Sequence, residues 1–565
     1  MRHRAAGGAP ILCGAALLLL LIASHAAEPE PSSHPSIFDL ARTGAPLQVA
    51  SAIREGATVD DRDAAGATPL DFAARENPAV LPVLLASGAA VNSRDDSGRT
   101  PLEYALMGTP DIATVRALVT AGADAREADA SGATPLMFAA SSHAAPQIIT
   151  ELIGKGAQVN RRDVDGKTAL MYAASSGGPA AIAALLHAGA DIHAADVTGM
   201  TALMYAAAQN PDRSVVDELL AAGARPDAHS GTGMTPLMIA AGWNPNPEIT
   251  KALIDSGADV NAENANKMTP LMIAATYNTN PLVVRLLVAA GARLETRSVR
   301  GWTALMIGVD GNTNPQVIEA LLQAGANIEA RDPEGRTPLM WAAAESLNPE
   351  VVKLLIQKGA GVEDRDNEGR TPLMWAVAVN PDPNIVRVLI ASGARVNDHD
   401  SAGATPLMYA TLLVGPICAP DLTPSPWGTP SALPVGMQPT NDPASLYTNF
   451  ASLKALLAAG ADVNAQDERG RTALMWAAAQ NPIPAVTLAL LEAGASVNER
   501  DHDQMTALMW AAKEGTNSDV VETLLTRGAD ASLVDSSGLT ALDLAGRNNH
   551  LDETAAYTRL VEAAQ

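Results

Sequence analysis

The sequence is poor in cysteine, in aromatic residues and in positive charge, and each shortage removes a class of answers. Two cysteines, Cys13 and Cys418, cannot supply a disulfide framework for 565 residues. Lys and Arg number 38 against 62 Asp and Glu, a formal charge of −24. That balance argues against electrostatic binding to nucleic acid or anionic lipid, which both require basic patches. Catalytic signatures are missing too: there is no His-Glu-x-x-His, Gly-x-Ser-x-Gly or paired Cys-x-x-Cys, and the ten histidines lack metal-ligand spacing.

Long apolar runs are scarce as well. The one present, Ile11 to Ala23, follows Arg2 and Arg4 and leads into Ser24-His25-Ala26-Ala27. This is the layout of a secretory signal peptide over residues 1–27, and the run is short of the ~20 apolar residues of a membrane span. A short linker, 28–35, would then begin a mature chain that does not insert into a membrane and keeps Cys418 as its only cysteine. Export is expected, to the periplasm first and into the medium as the alternative. The absence of any Asn-x-Ser/Thr sequon favours a bacterial envelope over a eukaryotic secretory route.

What is abundant is repetition. Thr-(Pro/Ala)-Leu recurs fourteen times, from Thr68 to Thr540, at steps of 32 to 34 residues apart from one step of 67. Such a period marks units that cannot bury their apolar faces alone and must stack. In the unit that opens at Asp366, Asp366 and Gly369 suit a turn, Thr371 caps a helix and Pro372 fills its first position. Leu373 and Ala376 share one face of that helix, and Asn380-Pro381-Asp382-Pro383 breaks it. Ile385, Val386, Leu389 and Ile390 stripe a second helix, which Gly393-Ala394 closes before Val396-Asn397.

Thr-Pro-Leu, Gly-Ala and Val-Asn at these offsets resemble the ankyrin repeat, and the resemblance runs from about Ser36 to the C-terminus. A Gly-Ala pair closes fourteen units, from Gly56-Ala57 to Gly528-Ala529. The resemblance implies an all-α solenoid of about fifteen stacked helix-turn-helix repeats with short turn fingers. It would have an N-terminal capping repeat over 36–67, an array over 68–539 and a polar C-terminal capping repeat over 540–565 that exposes Arg547, Asn548, Asn549 and Glu553. Where the family usually has histidine after Thr-Pro-Leu, eleven units carry methionine, from Met137 to Met509. Thioether packing is therefore expected to replace the histidine's polar contacts. Successive sulfurs would lie about 10 Å apart, too far to share a copper ion.

Several positions are candidates for function. Gly166-Lys167-Thr168 has the look of a phosphate-loop end, but Arg161 stands where its first glycine should be. The residue after the methionine column is aromatic in ten units, among them Tyr172, Tyr205, Trp341, Trp375, Tyr409, Trp476 and Trp510. Where it turns aliphatic at Ile239, Ile273 and Ile307, Trp243 and Tyr277 appear one turn later. Two residues past the buried leucine is about 200° round a helix, so the column should face away from the core. By the resemblance that is the concave groove, where exposed rings suit a protein partner. The rival reading is rings packed on the next layer's alanines. The 67-residue step holds about 33 extra residues, 415–447, with eight prolines and with Cys418, Trp427 and Met437: a loop that is either a docking arm or a tolerated insertion.

No catalytic residue, cofactor or metal site is expected. The function expected is a non-enzymatic, monomeric scaffold for one or more unidentified protein partners, in the envelope or outside the cell. The alternatives are support of an envelope redox or peroxide-detoxifying enzyme, and an effector acting on host proteins.

Overall fold

The computed structural model describes residues 35–142, 145–412, 443–548, 550 and 555–563. These residues form thirty α-helices and one 3-10 turn. Among them the only strand-like pairings are two isolated bridges, Ala195 with Thr201 and Gln466 with Thr472. The segment 1–27 expected as a signal peptide, the expected linker up to residue 34, and Cys418, Trp427 and Met437 lie outside the described residues, as do Asn549 and Glu553. Among the described residues no helix is long and apolar enough to cross a membrane.

The chemistry of each element follows the sequence closely in the unit at Asp366. Asp366 Oδ1 accepts from the N–H groups of Glu368 (3.1 Å) and Arg370 (2.8 Å), and Gly369 takes φ +78° to let the finger turn back. Thr371 caps the inner helix Pro372–Val379, its hydroxyl accepting from Met374 N–H. Asp382 caps the outer helix Pro383–Ala391 in the same way through Asn384 N–H. Gly393, at φ +98°, then lets Ala394 N–H reach Leu389 O at 3.0 Å and end the helix.

Within each of two compact units, inner helices stack on inner helices and outer on outer, with the core between the two rows. Leu373, Ala376, Ile385, Val386 and Leu389 are fully buried, and the equivalent positions of the other layers match them. Alanine on the inner helices lets backbones approach closely. Fingers pair through single backbone bonds, such as Asn367 N–H to Glu334 O at 3.0 Å and Ser401 N–H to Glu368 O at 2.8 Å.

Two compact units make up the array. One contains the described residues up to Ala274 together with Leu282–Arg293, and the other Ala275–Pro281 together with Leu294 onward. The first opens with the helix pair Ile37–Thr43 and Pro46–Arg54. The second closes with Ala541–Ala545 and Ala555–Ala563.

Polar rungs tie successive layers at both ends of the helix pairs. At the corner between inner and outer helix, Asn244 Nδ2 donates to Ala207 O and Asn210 O, and Asn312 Nδ2 to Ala275 O and Asn278 O. Asn548 is one of these rungs, 7% exposed and bonded to Ala512 O and Gly515 O, so its expected exposure at the C-terminal cap is corrected. Burial of a side chain with this many donors follows from the carbonyls it satisfies at the end of the preceding inner helix. The Asn of the Val-Asn pair forms the second set, with Asn397 Nδ2 donating to Gly460 O and its Oδ1 accepting from Asp462 N–H.

Those last bonds cross the 67-residue step. Glu468 N–H to Ala402 O and Asn481 Nδ2 to Thr411 O cross it too, so the layers on either side meet in normal register. The helix after the insertion, Pro443–Ala458, starts inside the stretch read as loop up to Tyr447. Pro443 is its first residue, where a missing N–H costs nothing.

Candidate partner-binding face

The aromatic column is built around one carboxylate per layer. The finger aspartate uses Oδ1 for the turn and Oδ2 for the ring nine residues later. Trp341, Trp375, Trp476 and Trp510 donate Nε1–H to Asp332, Asp366, Asp467 and Asp501 at 2.9–3.0 Å. Tyr104, Tyr172, Tyr205 and Tyr409 donate their hydroxyls to Asp95, Asp163, Asp196 and Asp400 at 2.6–2.8 Å. Burial, reinforced by the carboxylate bond, pushes the hydroxyls of Tyr172, Tyr205 and Tyr409 well above the ordinary phenol range, so they remain donors.

Three layers add an arginine between aspartate and ring. Arg336, Arg370 and Arg471 donate Nε–H to the same Oδ2 at 2.7–2.9 Å. Their guanidinium carbons sit 4.2, 4.3 and 4.9 Å from the centroids of Trp341, Trp375 and Trp476. Each ring is thus clamped between a carboxylate and a stacked cation. Tyr409 lies 6.2 Å from Trp476, so the column continues from one side of the insertion to the other.

The expectation that this column faces away from the core as exposed groove rings is corrected. Trp341 and Trp375 are 7% and 4% exposed, and Tyr172, Tyr205, Tyr409, Trp476 and Trp510 are half-buried. A helical Cβ leans toward the helix N-terminus, and a long side chain carries that lean further. Here the N-terminus adjoins the finger, whose aspartate supplies the acceptor. The 200° rotation located the residue on the helix but not where its ring ends.

A sequence signal for this arrangement existed. Every Trp or Tyr of the column has aspartate nine residues before it, and the three isoleucine layers have Ser230, Asn264 and Ser298 there instead. Phe72 and Phe138 keep the aspartate, Asp63 and Asp129, whose Oδ1 still holds the turn although the ring has no N–H or O–H to donate. In the Ile307 layer Trp302 fills the space, 2% exposed, its ring 4.4 Å from that of Trp341.

The methionines are no more than 1% exposed in all eleven layers. They also retain a polar role: Sδ of Met137, Met340, Met374, Met408 and Met509 accepts the N–H of the capping threonine at 3.4–3.5 Å. The inter-layer polar contacts pass to the asparagine rungs.

Trp243 ends the inner helix Pro236–Trp243, one turn past the column position, and is 43% exposed. Tyr277 holds the equivalent place in the other unit. It is half-buried, its hydroxyl pushed up to about 12 by burial and then by Asp310.

Among the described residues no group of three His, Cys, Asp or Glu could hold a metal. The model for Ankyrin repeats (3 copies) matches overlapping windows that together span residues 108–416 and 444–557. The chain belongs to the ankyrin repeat family. A search of curated proteins finds no match. Ankyrin repeats are generally protein–protein interaction modules, and proteins built from them are typically non-enzymatic. In this ankyrin array the carboxylates of Asp332, Asp366 and Asp467 each hold a turn, a ring and an arginine.

Proposed function

We propose that this ankyrin array is a non-enzymatic scaffold that holds a protein partner on its inner-helix face, in the cell envelope or outside the cell. The observation that carries the binding reading is Trp243. It is a large ring, 43% exposed, at the end of the inner helix Pro236–Trp243. An exposed tryptophan on a rigid helix brings contact area at little entropic cost, which suits a binding anchor. The apolar run behind Arg2 and Arg4 supports export.

The test compares wild-type mature chain with Trp243→Ala in partner capture from periplasm and from host lysate. The variant should keep its melting behaviour and lose about 2 kcal/mol or more of partner affinity. Equal capture by both proteins would remove Trp243 as the anchor. An envelope oxidoreductase among the captured partners would favour support of a detoxifying enzyme, and a host protein would favour an effector. Sequencing the N-terminus of the recovered protein tests cleavage before Ala27 or Glu28.

A further inference from the structure

Eleven layers place methionine third in the inner helix; the first two inner helices of the array, Pro69–Glu76 and Pro101–Leu106, place a carboxylate there. Asp71 and Glu103 are both 0% exposed. Asp71 Oδ2 accepts from Thr68 N–H (2.5 Å) and Oγ1–H (2.8 Å), and Glu103 Oε2 accepts from Thr100 N–H at 2.8 Å. The second oxygen of each, Asp71 Oδ1 and Glu103 Oε1, is buried without a hydrogen-bond partner. A neutral carboxyl keeps the capping bond and tolerates that position, whereas an ionised one buries charge on a bare oxygen.

We propose that the N-terminal layers, residues 36–106, form a proton-held latch, docked while Asp71 and Glu103 are neutral and loosened as they ionise. The groups facing them do not supply a counter-charge that outweighs burial. From the fingers, Asp95 and Arg62 act on Asp71, and Asp129 and Arg94 act on Glu103. Both arginines are engaged elsewhere: Arg62 donates to Gly66 O and Arg94 O, and Arg94 donates to Gly98 O and Ala128 O and pairs with Glu127.

The neighbouring helices add little. From Ile37–Thr43, Asp39 closes the capping box of Ser36, and Arg42 lies 3.9 Å over the Phe72 ring and 3.9 Å from Glu76. From Ile112–Thr120 comes Arg116, paired with Glu151 at 3.0 Å. Pro135–Ser141 and Leu81–Ala86 carry no titratable residue. Tyr104, beside Glu103, donates to Asp95.

Burial accordingly pushes Asp71 up to about 6 from 3.8 and Glu103 up to about 8 from 4.5. A carboxyl raised on folding stabilises most below its unfolded value, and that contribution is lost as pH rises through the folded value. The window is therefore pH 4 to 6 for Asp71 and 4.5 to 8 for Glu103. The Glu103 helix packs on Pro135–Ser141 and Ile112–Thr120, so the loss appears at that seam as local opening before the array unfolds.

Hydrogen exchange of the whole mature chain at pH 5.5 and 8.5, corrected for intrinsic exchange, reads this directly. The opening constant of peptides in 36–106 should rise on the order of 100-fold relative to peptides in 300–400. Glu103→Gln should flatten most of that rise, and Glu103→Met, which installs the residue of the other layers, should do the same if the glutamine variant folds poorly. Uniform pH behaviour along the wild-type chain would overturn the latch. So would variants that open with pH as the wild type does.

Discussion

Replacing Trp375 with alanine separates clamp from exposed anchor. The ring is 4% exposed, donates to Asp366 at 3.0 Å and lies under Arg370 at 4.3 Å. Deleting a buried aromatic costs about 3–5 kcal/mol. The stacked cation accounts for about 0.5–1 kcal/mol of that loss. Trp375→Phe keeps a buried aromatic ring but removes the N–H and part of the indole's apolar volume, while Asp366 Oδ2 retains Arg370 at 2.8 Å. Its cost should be about 1–3 kcal/mol, the lost hydrogen bond plus a small void. Trp243→Ala, at an exposed ring, should cost under about 1 kcal/mol.

The assay is urea unfolding of the mature chain followed by far-UV circular dichroism. Long arrays lose cooperativity, so exchange protection of peptides in 366–397 should be read beside it. The expected order of midpoints is wild type and Trp243→Ala together, then Trp375→Phe, then Trp375→Ala. A Trp375→Ala midpoint equal to wild type, or a larger drop for Trp243→Ala, would refute the clamp.

Two further outcomes follow from the rungs. Deleting residues 415–447 leaves a 34-residue step between Thr405 and Thr472. The bonds Asn397–Gly460, Ala402–Glu468 and Thr411–Asn481 all lie outside the cut, so thermal stability should change by less than about 1 kcal/mol; an unfolded product would show that the segment belongs to the core. Asn380→Ala should cost about 2–3 kcal/mol in the same melts, because Ser346 O and Asp382 N–H both lose a partner at a fully buried corner; a neutral effect would mean that water replaces the rung.

The sequence by itself determined the period, the two helices of each layer and their ends. Thr371, Pro372, Gly369 and Gly393 act through their own backbone within one or a few residues, so their meaning is local and readable. The same holds for the buried stripe of Leu373, Ile385, Val386 and Leu389, where spacing alone selects a face. The insertion was visible as a surplus over the step, although its boundary at Pro443 was not, since proline both ends loops and begins helices.

Tertiary structure decided everything that depends on a partner outside the local turn. Trp375 was placed on the right helix, but Asp366, nine residues back on a finger, set where its ring points. Asn380 and Asn548 read as breakers or cap residues, yet they are buried because a carbonyl about one repeat earlier needs a donor. Nothing local marks Asp71 and Glu103 for burial; stacking encloses them. A polar atom's fate is fixed by whether the assembled neighbours satisfy it, and that neighbour set exists only once the layers are stacked.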